Sequence, residues 1–326
     1  MALNTVSTRS NVMLATILAE VPLKALTPKT VFWNLINQDD MDGEQSISKT
    51  YNKESDIGPA VAATEGVDFT QSTTLGYDTP VTLTPVEAAA QRSDITTRAI
   101  RRRAGLTMDV VAGKIMAGDF TGILGLLEEE STRLAKSLWE KAERDVCAML
   151  DDASNTVGAT GVDLSLANIL QAIADMDANE PENEDFIWVM APQQTADLRA
   201  ALLGASGAAT TWFQADAGIL NHRADPTRNG LKGSLLGIPW YQTSSSVNPL
   251  PNSGADVAGA LLCRGVGRPD APGSQRGAHV FLEGAPMTFL IDVDVSARTI
   301  ELMAFWEYAV GEITDPHYVS IITDAP

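Results

Sequence analysis

The sequence predicts an α+β fold, and three observations carry that reading. One amphipathic helix runs almost unbroken from about Asp119 to Asp152. Strand-like segments lie apart from it on both sides, and residues 45–96 alternate as a long hairpin with almost nothing that could form a core. The chain has 326 residues and 44% hydrophobic content, enough for two domains or one large unit with a buried core.

From the N-terminus, VMLATILAEVPLKAL (residues 12–26) is tested first as a signal peptide. Its apolar run is only seven residues before Glu20, and Arg9 is the only charge ahead of it. It is also too short to span a membrane, so it reads as an amphipathic N-terminal arm. In the hairpin, Ile47, Lys49 and Tyr51 share one face of the first strand, with Ser46, Ser48 and Thr50 on the other. Val81 and Leu83 alternate with Thr82 and Thr84 in the second. A two-stranded hairpin is marginal in water by itself. This one is therefore either an arm held down by something outside the subunit or a plain surface loop. The basic run RAIRRRAG follows, with Arg98, Arg101, Arg102 and Arg103. It reads either as a solvated face or set of inter-subunit ion pairs, or as a contact with DNA or a neighbour's acidic patch.

The long helix carries the stripe Ile123, Leu127, Leu134, Leu138, Ala142, Val146, Met149 and Leu150, interrupted by Ser131. Glu129–Arg133 and Glu140–Arg144 are i,i+4 pairs in the favourable order. At about 1.5 Å per residue the predicted helix spans roughly 40–50 Å. Its stripe is too short for a coiled coil, so it reads as the spine of an elongated domain. DASNTVGATGVD is then a linker, and SLANILQAIADMDAN a helix capped by Ser165 with Ile169, Ile173 and Met176 on one side. After the bend EPENED comes a buried strand, FIWVMA (186–191), and Pro192 opens the next helix. Residues 204–233 read as a loop. SLLGIPWYQTSSS reads as a strand bent at Gly237 and Pro239, and VAGALLCR as another strand. MTFLIDVDVS and TIELMAFWEYAVGEI read as two strands joined near Ala297 and Arg298, with HYVSIIT closing the chain.

Charge and motifs remove most function classes. The net charge is −19 and the pI about 4.4, whereas a surface that grips nucleic acid is usually basic; sequence-specific DNA binding is not expected. Cys147 and Cys263, the only cysteines, lie in apolar surroundings and read as reduced core thiols. His222, His279 and His317 have no ligand spacing and read as ordinary surface or structural histidines. Asp175, Asp177 and Asn179 begin like a calcium loop, but Glu180 stands where glycine is needed and Phe186 where glutamate is needed. Asp39 to Glu44 is an equally weak acidic cluster. There is no nucleophile elbow, Walker loop or dinucleotide fingerprint. No catalytic residue, metal or cofactor is expected.

The order of arm, hairpin, spine helix, helix–strand–helix layer and C-terminal hairpin resembles the major capsid proteins of tailed bacteriophages, the Hong Kong 97-like fold. TEGVDF (Glu65, Gly66) is similar to the glutamate–glycine of many family extended loops. FIWVMAPQQTADLRAAL is similar to the family strand that ends in a small residue and proline before a helix. KGSLLGIPWYQTSSS is similar to its leucine–glycine–x–proline strand, and DVDVSARTIELMAFWEYAVGEITDPHYVSII to its C-terminal hairpin and final strand. The resemblance runs from about residue 30 to 324.

It implies an N-terminal arm (1–44) and an extended loop (45–96) reaching over an adjacent subunit. The peripheral domain would comprise 97–152 with the spine helix and the hairpin 279–316. The axial domain would comprise 153–278, with 317–326 returning to it. Implied inter-subunit contacts are Trp33, Tyr51, Glu65, Phe69, Arg101, Arg102 and Arg103. The implied function is a virion shell, assembled in the host cytoplasm from hexamers and pentamers. It would join a portal protein and enclose double-stranded DNA, with no membrane partner. With the loop starting near residue 45, there is no room for the cleavable scaffolding region of the best-known member; a separate scaffolding protein, or none, is implied. The loop's lysines, Lys49 and Lys53, sit at its base. Tip crosslinking is therefore not expected, and stability falls to non-covalent interlocking or a decoration protein. Two alternatives remain, an encapsulin-type compartment on the same fold and, from another class, a metal-dependent enzyme using the acidic clusters.

Overall fold

The computed structural model describes residues 32, 35–41, 46–51, 81–96, 105–117, 119, 122–178, 185–204, 231–243, 256–265, 277–294, 299–314 and 317–324. These residues form a four-stranded, a six-stranded and a two-stranded sheet. Four helices, α1 (Met108–Ala117), α2 (Leu124–Ala148), α3 (Leu166–Ala178) and α4 (Pro192–Gly204), lie among them. The fold class is α+β, as the sequence predicts.

The long helix is α2, 25 residues or about 37 Å. It begins at Leu124 rather than near Asp119, and a 3-10 turn at Met149–Asp151 ends it. The predicted stripe is its buried face, with Ile123, Leu127, Leu134, Leu138, Ala142, Val146 and Leu150 buried and Met149 half-buried. Ser131 does not break that face, because its hydroxyl donates to the Leu127 carbonyl at 2.6 Å and so carries no unmet donor into the core. On the exposed side Arg133 pairs with Glu129 at 2.9 Å, as predicted; Glu140 faces Lys136 at 3.9 Å instead of Arg144.

This stripe packs on the four-stranded sheet, in the order β1 (Asn37–Asp40), β10 (His279–Asp294), β11 (Thr299–Glu312) and β4 (Val86–Thr96). β10 and β11 form the predicted C-terminal hairpin, but β10 starts at His279, eight residues before the segment that reads as a strand. Ile300, Leu302, Ala304, Trp306 and Tyr308 alternate towards α2. Trp139 of α2 meets Trp306 edge-on at 4.5 Å, and Phe281 and Tyr308 stack beside them at 5.3 Å. Tyr308 donates to Asp145 at 2.6 Å, and Trp306 to Glu283 at 2.8 Å, so the polar ends of both rings are met.

The six-stranded sheet runs β5 (Thr156–Gly158), β12 (Tyr318–Asp324), β9 (Asp256–Cys263), β6 (Phe186–Met190), β8 (Ile238–Gln242), β7 (Leu231–Leu235). β6 is apolar throughout because both its faces are covered. Trp188 and Met190 join the cluster under α3 and α4, while Ile187 and Val189 join the core that contains α2. Ser165 caps α3 by accepting the Asn168 N–H at 3.3 Å, and α4 opens at Pro192, as predicted.

Two readings are corrected. SLLGIPWYQ is a tight hairpin, not one bent strand: Leu236 and Gly237 both have positive φ (55° and 82°), the mirror-image turn whose twist suits two-residue β-connections. The small-residue linker after Asp152 contributes β5, which pairs in parallel with β12. Cys147 and Cys263 are buried and free, as expected.

The aromatic seam yields a stability expectation. Trp139→Ala should cost about 3–5 kcal/mol in denaturant unfolding. A double-mutant cycle with Trp306→Ala should show about 0.5–1.5 kcal/mol of coupling.

Candidate assembly interface

The hairpin is real at its root. β2 (Lys49–Tyr51) and β3 (Val81–Leu83) pair antiparallel, with Lys49 opposite Leu83 and Tyr51 opposite Val81. Thr50 and Thr82 share a hydrogen bond of 2.9 Å on one face, and Lys49 and Tyr51 point to the other, as the alternation predicts. Ser46 and Ser48 form a local turn instead of strand, and Ile47 is 83% exposed. After β3 the chain continues directly into β4, so residues 86–96 are built into the large sheet beside β11.

What holds the root is a group that sequence reading passes over. Asp39, fully buried in its side chain, accepts from the Tyr51 hydroxyl at 2.9 Å and pairs with Lys49 at 2.8 Å. Tyr51, Val280 and Ile313 form a small separate core with Leu83. Tyr51 is thus 1% exposed. Its ring, packed with Leu83, anchors the root to its own subunit. Trp33, Glu65, Phe69, Arg101, Arg102 and Arg103 lie outside the described residues.

Asp39 itself sits on β1, which pairs in parallel with β10 from Asn37–Val280 to Asp40–Glu283. Asn37 is buried and accepts the Gly277 N–H at 2.6 Å. Upstream, the buried Glu143 of α2 accepts the Phe32 N–H at 2.6 Å. A chain of buried polar contacts therefore fixes the exit of the N-terminal arm and the base of the hairpin to one sheet edge. No sequence signal ties residue 39 to residue 51 or residue 143 to residue 32; the only hint is a tyrosine and a lysine on one face of an otherwise polar strand.

Two of the three histidines are buried. His317 is buried, and His279 is wholly buried at the start of β10, with the Tyr318 ring edge-on at 4.5 Å and Phe32 at 6.4 Å. Burial pushes the His279 imidazole down to about 4, opposed by the Met149 carbonyl. His222 lies outside the described residues. Among the described residues no three His, Cys, Asp or Glu side chains converge as a metal site, and no helix is long and apolar enough to cross a membrane.

No protein-family model and no curated protein matches the chain. Solved structures do. The acid-stable capsid of Helicobacter pylori bacteriophage KHP30 is 11% identical, with 91% of each chain covered and a TM-score of 0.59. The capsid of Ralstonia phage GP4 is 12% identical over 90% of this chain and 87% of that one, with a TM-score of 0.57. A virus-like particle from Pyrococcus furiosus is 8% identical over 94% and 97%, with a TM-score of 0.50. The fold is that of these shells, the Hong Kong 97-like fold that the sequence leads one to expect.

Two measurements follow. Tyr51→Phe leaves Asp39 short of one donor and should cost about 1–2 kcal/mol, with hydrogen exchange rising first at residues 49–51 and 81–83. Protonation is disfavoured in the folded state at His279, so stability it contributes at neutral pH should drain as pH falls below 6.5. The loss should level off below about 4, at on the order of 3 kcal/mol. Denaturation of the parent and of His279→Met across pH 7.5 to 4 isolates that slope.

Proposed function

We propose that this chain is a capsid shell protein, the major capsid protein of a tailed double-stranded DNA phage, interlocked without covalent bonds. The observation that carries the reading is a hairpin anchored to the core at its root, on a fold shared with phage capsids over about nine-tenths of the chain. The segment from 52 to 80, which leaves this root, is too polar to bury against its own subunit. A neighbouring copy supplies the surface it lacks. Head-to-tail contacts of this kind close into rings when the rotation permits, and hexamers and pentamers joined at their edges make a shell.

In this reading α2, the β10–β11 hairpin and β4 form the peripheral domain. The six-stranded sheet with α3 and α4 forms the axial domain, to which β12 returns. The shell encloses DNA without reading its sequence, since a chain of net charge −19 offers little phosphate neutralisation. A portal protein, a separate scaffolding protein and a decoration protein are the partners it would meet, with assembly in the host cytoplasm. The similarity to a virus-like particle as well as to phage capsids keeps the encapsulin-type compartment as a second reading. The chemistry proposed for the chain itself is assembly, not catalysis.

Light scattering behind size-exclusion chromatography, with negative-stain images, tests this. Shells or five- and six-membered rings are expected, and nucleic acid inside them separates phage from cargo compartment. A monomer or dimer under every assembly condition would overturn the proposal.

A further inference from the structure

His279 is wholly buried at a junction of β10, β12, the end of α2 and the chain at Phe32. It opens β10, and Glu312 of β11 lies directly opposite it. The Tyr318 ring at the start of β12 stands edge-on to it at 4.5 Å, and the Tyr318 hydroxyl donates to Glu312 at 3.1 Å. The centre of the Phe32 ring lies 6.4 Å away, and the next residue of β10, Val280, pairs with Asn37 of β1. The Met149 carbonyl favours a proton on the ring. Even so, neither ring nitrogen makes a well-formed hydrogen bond or an ion pair among the described residues. A neutral imidazole is tolerated in such a place, whereas an imidazolium would be a buried charge with nothing paired to it. The titratable groups on the surrounding elements are Glu143 and Cys147 of α2, Asp151 just after it, Glu312 of β11, His317 beside Tyr318, and Asp39 of β1.

A charge at this junction is relieved only when solvent enters, and the contacts around it differ in what they cost to open. β10 is laddered to β11 from His279 onwards. Tyr318 belongs to a strand paired on both sides, with β5 and β9. The end of α2 is fastened by Val146 and Leu150 in the core. The chain at Phe32 has shorter fastenings. Its N–H reaches Glu143 at 2.6 Å, its carbonyl accepts the Leu35 N–H at 2.9 Å, and β1 beyond it is a four-residue strand at the sheet edge. Local opening starts where the fewest long-range pairings have to break, so Phe32 and β1 give way first.

We propose that His279 is an acid-sensitive latch on the chain from Phe32 to Met41: protonation of its ring unseats Phe32 and β1 while α2 and the rest of both large sheets stay folded. The inference does not depend on the shell reading. It goes beyond the loss of overall stability expected from the buried ring, because it names the segment that opens. β1 carries Asp39, so opening also withdraws the group that holds Lys49 and Tyr51, and the hairpin root loosens with it.

Burial holds the closed-state ring at about 4, against 6.5 once solvent reaches it, so opening grows as pH falls through that interval. Hydrogen exchange of the full-length chain follows this directly when read as protection factors, which divide out the intrinsic pH dependence. From pH 7.5 to 5, protection at residues 32 and 35–41 should fall on the order of 30-fold, while residues 124–148 keep theirs. Protection at 32–41 that stays flat to pH 5 would overturn the proposal. So would a fall shared equally by 124–148, which is general unfolding. Both outcomes are read in the parent chain and need no variant to fold. In His279→Met the response should vanish; a response that survives overturns the latch and passes the titration to Glu143, Glu312 or His317. Glu143→Gln keeps an oxygen to accept the Phe32 N–H and should respond as the parent does. A flat profile in that variant would overturn His279 as the sensor.

Discussion

A helix of 25 residues with one apolar face has to find an equally long apolar surface, and the rest of this structure follows from that requirement. The surface is the inward side of β10 and β11, whose alternation delivers Phe281, Phe289, Ile300, Leu302, Trp306 and Tyr308 to one row. The contact is fastened where aromatic rings meet, Trp139 against Trp306 with Phe281 and Tyr308 beside them. Buried area alone would let α2 slide along the sheet. The hydrogen bond from Tyr308 to Asp145 of α2 fixes its register, since a shift would leave that donor unmet.

The same arrangement sets where the chain can leave the body. Once α2 occupies one face, the segment before β1 can enter only along the sheet edge. There Glu143 catches Phe32, Asn37 catches Gly277, and Asp39 catches both Lys49 and Tyr51. These are polar contacts inside a core, and each is costly to break because its partner would be left buried and unsatisfied. The arm and the hairpin are therefore rigidly mounted at their bases whatever their far ends meet. The two sheets are joined in a comparable way. Tyr318 of β12 and Ile187 and Val189 of β6 lie in the same core as α2 and the inward face of β11. Both exits held at one sheet edge suit the proposed role of linking copies.

Much of this was legible before any coordinates. The α2 stripe, the doubly buried β6, the Ser165 cap, the Pro192 helix start and the alternation of Lys49 and Tyr51 all follow from local rules with a period of 3.6 or 2. The misses share another cause. β1 and β5 are only four and three residues long, and no local pattern marks NQDD or TVG as strand; both exist because β10 and β12 offer an open edge. The strand β4 carries AAA in its middle, and β11 makes it a strand. Leu236 in a positive-φ turn gives no signal that a mirror-image turn is intended, so the hairpin reads as a bend. Asp39 reads as one acid among several in DDMDGE until the fold places Tyr51 and Lys49 against it.

The sequence by itself determined the inventory: an α+β chain, one spine helix and a largely polar hairpin. It could do so because hydrophobic period, capping and turn chemistry act between residues a few positions apart. Only the tertiary structure decided which edges pair, which carboxylates are buried, and that Tyr51 is bonded to Asp39. Those outcomes depend on groups 12 to 111 residues apart in the chain meeting in one place, as Tyr51 meets Asp39 and Phe32 meets Glu143. Long-range contact of that kind is set by packing the whole chain at once, and no local pattern encodes it.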